Sequence, residues 1–194
     1  MKHTHVLAAF LLLTCTPLFA AQKPVALTLK PLSTEKAVTV GIEYTMFENG
    51  NADENAYGVA LRYDKAFAPL KKEGDYWSWN LGGYWNSGEI DTGNGAGRDF
   101  TVMGIRYGVD ANFVVAPRTT VFVGPRVGYA QYEPDGGDAE GAITYGFATG
   151  VRYQMENSSG VVECGFMHTW YAYQEEAMGT EQSNGIFVGA GFAF

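Results

Sequence analysis

From Val38 to the C-terminus, apolar side chains recur at every second position through eight successive segments, a spacing that fits β-strands with one apolar and one small or polar face. Val38, Val40, Ile42, Tyr44 and Met46 share one face of the first segment, opposite Thr39, Gly41, Glu43 and Thr45. Later segments repeat the pattern: Tyr57 to Tyr63, Trp77 to Trp85, Met103 to Val109, Val121 to Tyr129, Ile143 to Tyr153, Val162 to Trp170 and Ile186 to Phe194. Pro125 is the one misfit, because proline removes a ladder donor, and it predicts a bulge or locally loosened pairing.

No segment after the N-terminal region reaches the roughly 18 apolar residues that a membrane helix needs, so a membrane crossing would be made by strands. An even number of antiparallel strands closes into a barrel without edges. The face opposite the apolar one is mainly Gly, Ala, Ser and Thr, whereas a soluble barrel would show water many Lys and Glu there. Tyr44, Tyr57, Tyr63, Trp77, Trp85, Tyr107, Tyr129, Tyr145, Tyr153 and Trp170 fall on the apolar face, most of them near strand ends, where interfacial aromatic girdles belong. The fold expected is an all-β, eight-stranded antiparallel transmembrane β-barrel.

Connections alternate in length. Short ones fall at residues 66–74, 114–118 and 155–160, and longer ones at 48–55, 86–99, 133–141 and 174–185. Outer-membrane barrels place short turns in the periplasm and long loops outside. The four long loops hold thirteen of the 21 acidic residues, including Glu133, Asp135, Asp138 and Glu140, against the single basic Arg98. Their spacing lacks the ordered ligand pattern of a calcium loop. The glycine-rich stretch Gly93 to Gly97 lies in a loop rather than between strand and helix, which leaves a nucleotide reading without support.

Lys2, the apolar run Val6 to Leu13, Pro17 and the small residues Ala20 and Ala21 have the design of a secretory signal peptide spanning 1–20. Thr14, before Cys15, is larger than the Gly or Ala accepted beside a lipidated cysteine. Residues 21–36, with Pro24 and Pro31, read as a periplasmic extension, and 37–194 as the barrel. Loss of Lys2 from the 13 basic residues leaves 12 against 21 acidic ones, which excludes a nucleic-acid binder. Cys164 then stands alone, so no internal disulfide can form. No metal or cofactor is implied.

The signal peptide, eight amphipathic segments, alternating loops and the ending Phe187 to Phe194 resemble the small outer-membrane barrel superfamily that includes OmpA-, OmpX- and opacity-type surface proteins. That resemblance implies a non-enzymatic surface, structural or adhesion role. It also implies outer-membrane lipids, lipopolysaccharide and host surface molecules as partners. Phe192 and Phe194 would then be the signal that the barrel-assembly machinery reads.

Two constellations bear on chemistry. Arg62, Arg106, Arg126 and Arg152 share the inner face with Glu43, Asp64, Asp110 and Glu163; isolated charges in a narrow lumen are costly, so opposite signs should pair. The reading is a polar plug, with a narrow ion channel through rearranging pairs as the alternative; eight strands leave room only for side chains. His168, the sole histidine after residue 20, with Glu175, Glu176 and Asn184 resembles part of the His–Ser–Glu arrangement of lipid A deacylases, and makes a membrane-embedded lipid A hydrolase the other alternative. The chain departs from that pattern at the nucleophile, having Trp170 two residues after the histidine.

Overall fold

The computed structural model describes residues 36–49, 52–72, 74–91, 97–156, 158–173 and 180–194. The signal-peptide reading, all of the extension but Lys36, and the tips of three long loops lie outside the described residues. Eight strands follow in chain order: β1 Lys36–Asn49, β2 Ala52–Pro69, β3 Tyr76–Asp91, β4 Gly97–Ala116, β5 Thr119–Pro134, β6 Glu140–Gln154, β7 Gly160–Tyr173 and β8 Thr180–Ala193. Each pairs antiparallel with the next, and β8 returns to β1 through Phe192↔Val38 to Gln182↔Glu48, closing the barrel. Closure gives every strand a hydrogen-bonded neighbour on both sides, the condition for β-structure inside a bilayer.

Alternation holds all the way round. Val40, Ile42, Tyr57, Leu61, Trp85, Ile105, Val127, Ile143 and Val188 are exposed on the outside, while Thr39, Glu43, Asp64, Asn80, Asp110 and Phe122 are buried inside. An apolar exterior around a polar interior is inverted relative to a soluble barrel and matches hydrocarbon as the outer solvent. The strands are 14 to 20 residues long, beyond the ten or so that span a bilayer. The connections read as long loops at 48–55 and 86–99 are therefore largely paired hairpin, because ladder pairing continues to satisfy the backbone past the membrane surface, whereas 133–141 keeps a turn outside the ladder over residues 135–139.

Pro125 acts as a local opening. Pairing of β4 with β5 runs to Gly108↔Arg126 and resumes at Ala111↔Val123 in the same register, so the ladder loosens without a bulge. Register shifts fall instead between Ala66 and Ala68 and between Val114 and Ala116, beside the short turns.

Candidate functional site

The inner face carries the charge network in two tiers. In the tier nearer the short turns, Asp110 is wholly buried and accepts from Arg62 Nη2 at 2.8 Å, Arg126 Nη1 at 2.7 Å and Asn80 Nδ2 at 2.9 Å. Arg62 also donates to Asp64 at 2.7 Å, and Arg152 donates to Glu163 at 2.9 Å and lies 3.1 Å from Asp64. Three arginines thus meet three carboxylates around the Phe122 ring, over which Arg62 and Arg152 sit at 4.8 and 5.5 Å. Register builds this locally: Arg152 and Glu163 are cross-strand partners, and Gly108, opposite Arg126, leaves the space that the arginine side chain fills.

The second tier is one pair. Arg106 from β4 donates through Nη1 and Nη2 to the two oxygens of Glu43 on β1, at 3.0 and 2.6 Å, the fork geometry that suits a carboxylate. Its guanidinium lies 3.7 Å from the Tyr84 ring centroid, and Nη1 contacts Met167 Sδ at 3.0 Å. All eight charged residues singled out in the sequence therefore take part, as a group of six and a separate pair.

Toward the long-hairpin end the lumen is apolar rather than lined only by small residues. Phe47, Phe100, Val102 and Tyr171 form a buried cluster with Tyr84 and several alanines, with Phe47 edge-on to Phe100 at 5.7 Å. Inner positions here were not foreseen because the strands were expected to end earlier. Carrying the alternation on would have found them, since Phe47 follows Glu43 by four residues and Tyr171 follows Glu163 by eight. Tyr173, beyond the cluster at the rim, donates to Glu181 at 2.8 Å. Burial and the neighbouring carboxylate push its phenol well above the usual range, and burial also raises the Glu181 carboxyl.

On the outer surface, two adjacent rungs cross four strands. Met46, Asn184, His168 and Phe147 lie on one, and Glu48, Gln182, Trp170 and Tyr145 on the next. Their polar members are joined. His168 Nδ1 and Asn184 Oδ1 are 2.8 Å apart; an amide oxygen only accepts, so the ring donates there. Asn184 Nδ2 donates to Glu48 Oε1 at 2.9 Å, and Gln182 Nε2 donates to the other Glu48 oxygen. Trp170 stands edge-on against His168 at 4.1 Å and stacks with Tyr145 at 5.5 Å, 17° from parallel. The histidine is thus oriented by an amide and a carboxylate, but Thr169 points into the barrel, 6% exposed, and offers it no hydroxyl. Among the described residues no group of three or more His, Cys, Asp or Glu gathers as a metal site.

No family model and no curated protein sequence matches this chain. Among solved structures it is similar to Ail, the attachment invasion locus protein of Yersinia pestis, in complex with the heparin analogue sucrose octasulfate. The identity is 14% and the TM-score 0.53, over 84% of this chain and 99% of that one. It is also similar to Neisserial surface protein A, at 14% identity and a TM-score of 0.58, over 82% and 97% of the two chains. At such identity the likeness is one of fold, and with the apolar exterior it makes this chain an eight-stranded β-barrel of the outer membrane, as its amphipathic segments led one to expect.

Proposed function

We propose that the chain is a non-enzymatic surface barrel whose interior serves as a strut and whose acidic extracellular hairpins make its outside contacts. The observation that carries this reading is the lumen: two tiers of ion pairs and an aromatic cluster occupy it in succession, which argues for contacts at the surface rather than passage through the centre. Glu133, Asp135 and Asp138 are exposed on the hairpin between β5 and β6. Ail is solved with a sulfated sugar. Acidic hairpins suit a polyanion poorly, so the contacts here are with cationic surfaces of host molecules, or with lipopolysaccharide through bridging cations. Residues 1–20 act as a removed signal peptide, 21–36 as a periplasmic extension, and Phe192 and Phe194 as the assembly signal.

Binding of cells to matrix proteins tests the role. Replacing residues 133–141 with a neutral hairpin abolishes it, and binding that survives replacement of all four hairpins ends the reading. Planar-bilayer recordings are expected to show no discrete openings; steady unitary conductance would favour the channel. The lipid A hydrolase has one observation in its favour, the oriented His168, and lacks a nucleophile bonded to it among the described residues. Lipid A mass spectra are expected to be unchanged by His168→Ala; a cleaved acyl chain that disappears in the variant would restore the enzyme.

A further inference from the structure

We infer that Glu48, Gln182, Asn184 and His168, with the stacked Trp170 and Tyr145, form a site on the outside of the barrel for the sugar headgroup of an outer-leaflet glycolipid. Four polar side chains linked by hydrogen bonds stand on the outer face among the rings of Tyr44, Tyr57, Trp85 and Tyr129, and Asn55, which accepts from the Tyr44 hydroxyl, continues the Met46 rung beside them. Polar groups on a lipid-facing surface are expensive unless something polar meets them. Aromatic belts lie at headgroup depth, and Glu48 and Gln182 stand one rung further toward the extracellular hairpin than His168 and Asn184.

The donor and acceptor set points to a sugar. Each Glu48 oxygen takes one amide hydrogen and keeps a lone pair for a ligand hydroxyl or ammonium. Because His168 bonds Asn184 through Nδ1, its Nε2 is the ring's other hydrogen-bonding atom. Trp170 and Tyr145, stacked on each other, add exposed aromatic surface beside it. Glu48 brings a negative charge to the cluster, which disfavours a phosphate as the group recognised. Carboxylate, amides and an aromatic face together suit a ring bearing hydroxyl or amino groups. This inference rests on the barrel lying in a glycolipid-containing leaflet and not on any adhesive role of the hairpins.

The test uses the protein purified from outer membranes and placed in nanodiscs, each carrying one of three probes: an acylated diglucosamine lipid with two phosphates, the same lipid without phosphates, or phosphatidylglycerol. Native mass spectrometry reads retention, and the His168 ring signal, the sole histidine signal from beyond residue 20, reads occupancy by NMR. Both glycolipids are expected to be retained over phosphatidylglycerol and to shift the His168 signal. Glu48→Gln and Asn184→Ala each weaken retention about tenfold, as loss of a hydrogen bond to a charged group implies. Trp85→Ala, on β3 across the ring from β7, leaves it unchanged. Heat-modifiable migration on gels confirms that each variant is folded. Retention that follows phosphate alone, equals that of phosphatidylglycerol, or ignores both variants overturns the site. Loss of cell binding on replacement of residues 133–141, which hold none of the site's side chains, with glycolipid retention intact separates the two readings.

Discussion

Arg106 and Glu43 face each other across the lumen from β4 and β1, 63 residues apart in sequence, joined by two hydrogen bonds of 2.6 and 3.0 Å with the Tyr84 ring beneath the guanidinium. Neither has another charged side chain within ion-pairing distance among the described residues. Arg106→Ala therefore leaves a carboxylate buried without its counter-ion and lowers unfolding stability by about 3–5 kcal/mol. The double variant Arg106→Met with Glu43→Leu loses far less. Urea unfolding followed by gel mobility checks both, and equal losses would show that the pair's attraction exceeds its desolvation cost.

The seam between β8 and β1 is tight at Gly191, where a Cβ would stand 1.8 Å from the Val38 carbonyl oxygen and 2.7 Å from Thr39 Cα. Both obstacles are backbone, so neither can swing aside. Gly191→Ala forces the closing strands apart and removes the heat-modifiable species. Gly83→Ala, whose nearest non-neighbour atom is Gly104 O at 3.8 Å, folds normally. Parallel gels of the two variants measure the contrast.

Phe194 is 68% exposed, and its structural bonds are backbone ones: its N–H donates to Lys36 O at 2.8 Å, and its carbonyl accepts from Lys36 N–H at 3.0 Å. Any residue supplies these. Phe194→Ala is expected to refold in detergent with stability within about 0.5 kcal/mol of the parent, as surface changes usually do, while its yield in the outer membrane drops severalfold. A parallel loss of stability in vitro would assign Phe194 to packing instead of assembly.

At the rim, Tyr173 donates to Glu181, and both acids are held above their ordinary values, chiefly by burial. A group whose folded pKa is raised contributes stability that is complete below its unfolded pKa and is lost as pH rises through the folded one. For Tyr173 that window opens above the ordinary phenol value of 10.0. A tyrosinate absorbance titration, taken as the difference from Tyr173→Phe, should show this phenol ionising after free tyrosine. Glu181→Gln removes the adjacent negative charge and brings that ionisation back toward the ordinary value. An ionisation at or below it would mean the rim is open to water.

Period-two alternation was enough to count the strands, assign their faces and place Glu43, Arg62, Asp64, Arg106, Asp110, Arg126, Arg152 and Glu163 inside, because a strand's side chains alternate whatever their partners. His168 could likewise be put on the outer face. Strand ends were less legible, since hairpins continue past the bilayer where the hydrophobic signal stops, and with them went Phe47, Phe100 and Tyr171 of the inner cluster.

Partner choice lay beyond one-dimensional reading. Asn184 and Glu48 are 136 residues apart, and only the β8–β1 closure sets them on neighbouring rungs with His168 beside them. The same holds for the split of eight lumen charges into a group of six and a lone pair, which depends on strand register and tilt rather than on residue type. By itself the sequence determined two chemically opposite faces on eight strands, a consequence of local backbone geometry. The closed barrel decided which of those side chains meet, because register across eight ladders is a property of the whole ring.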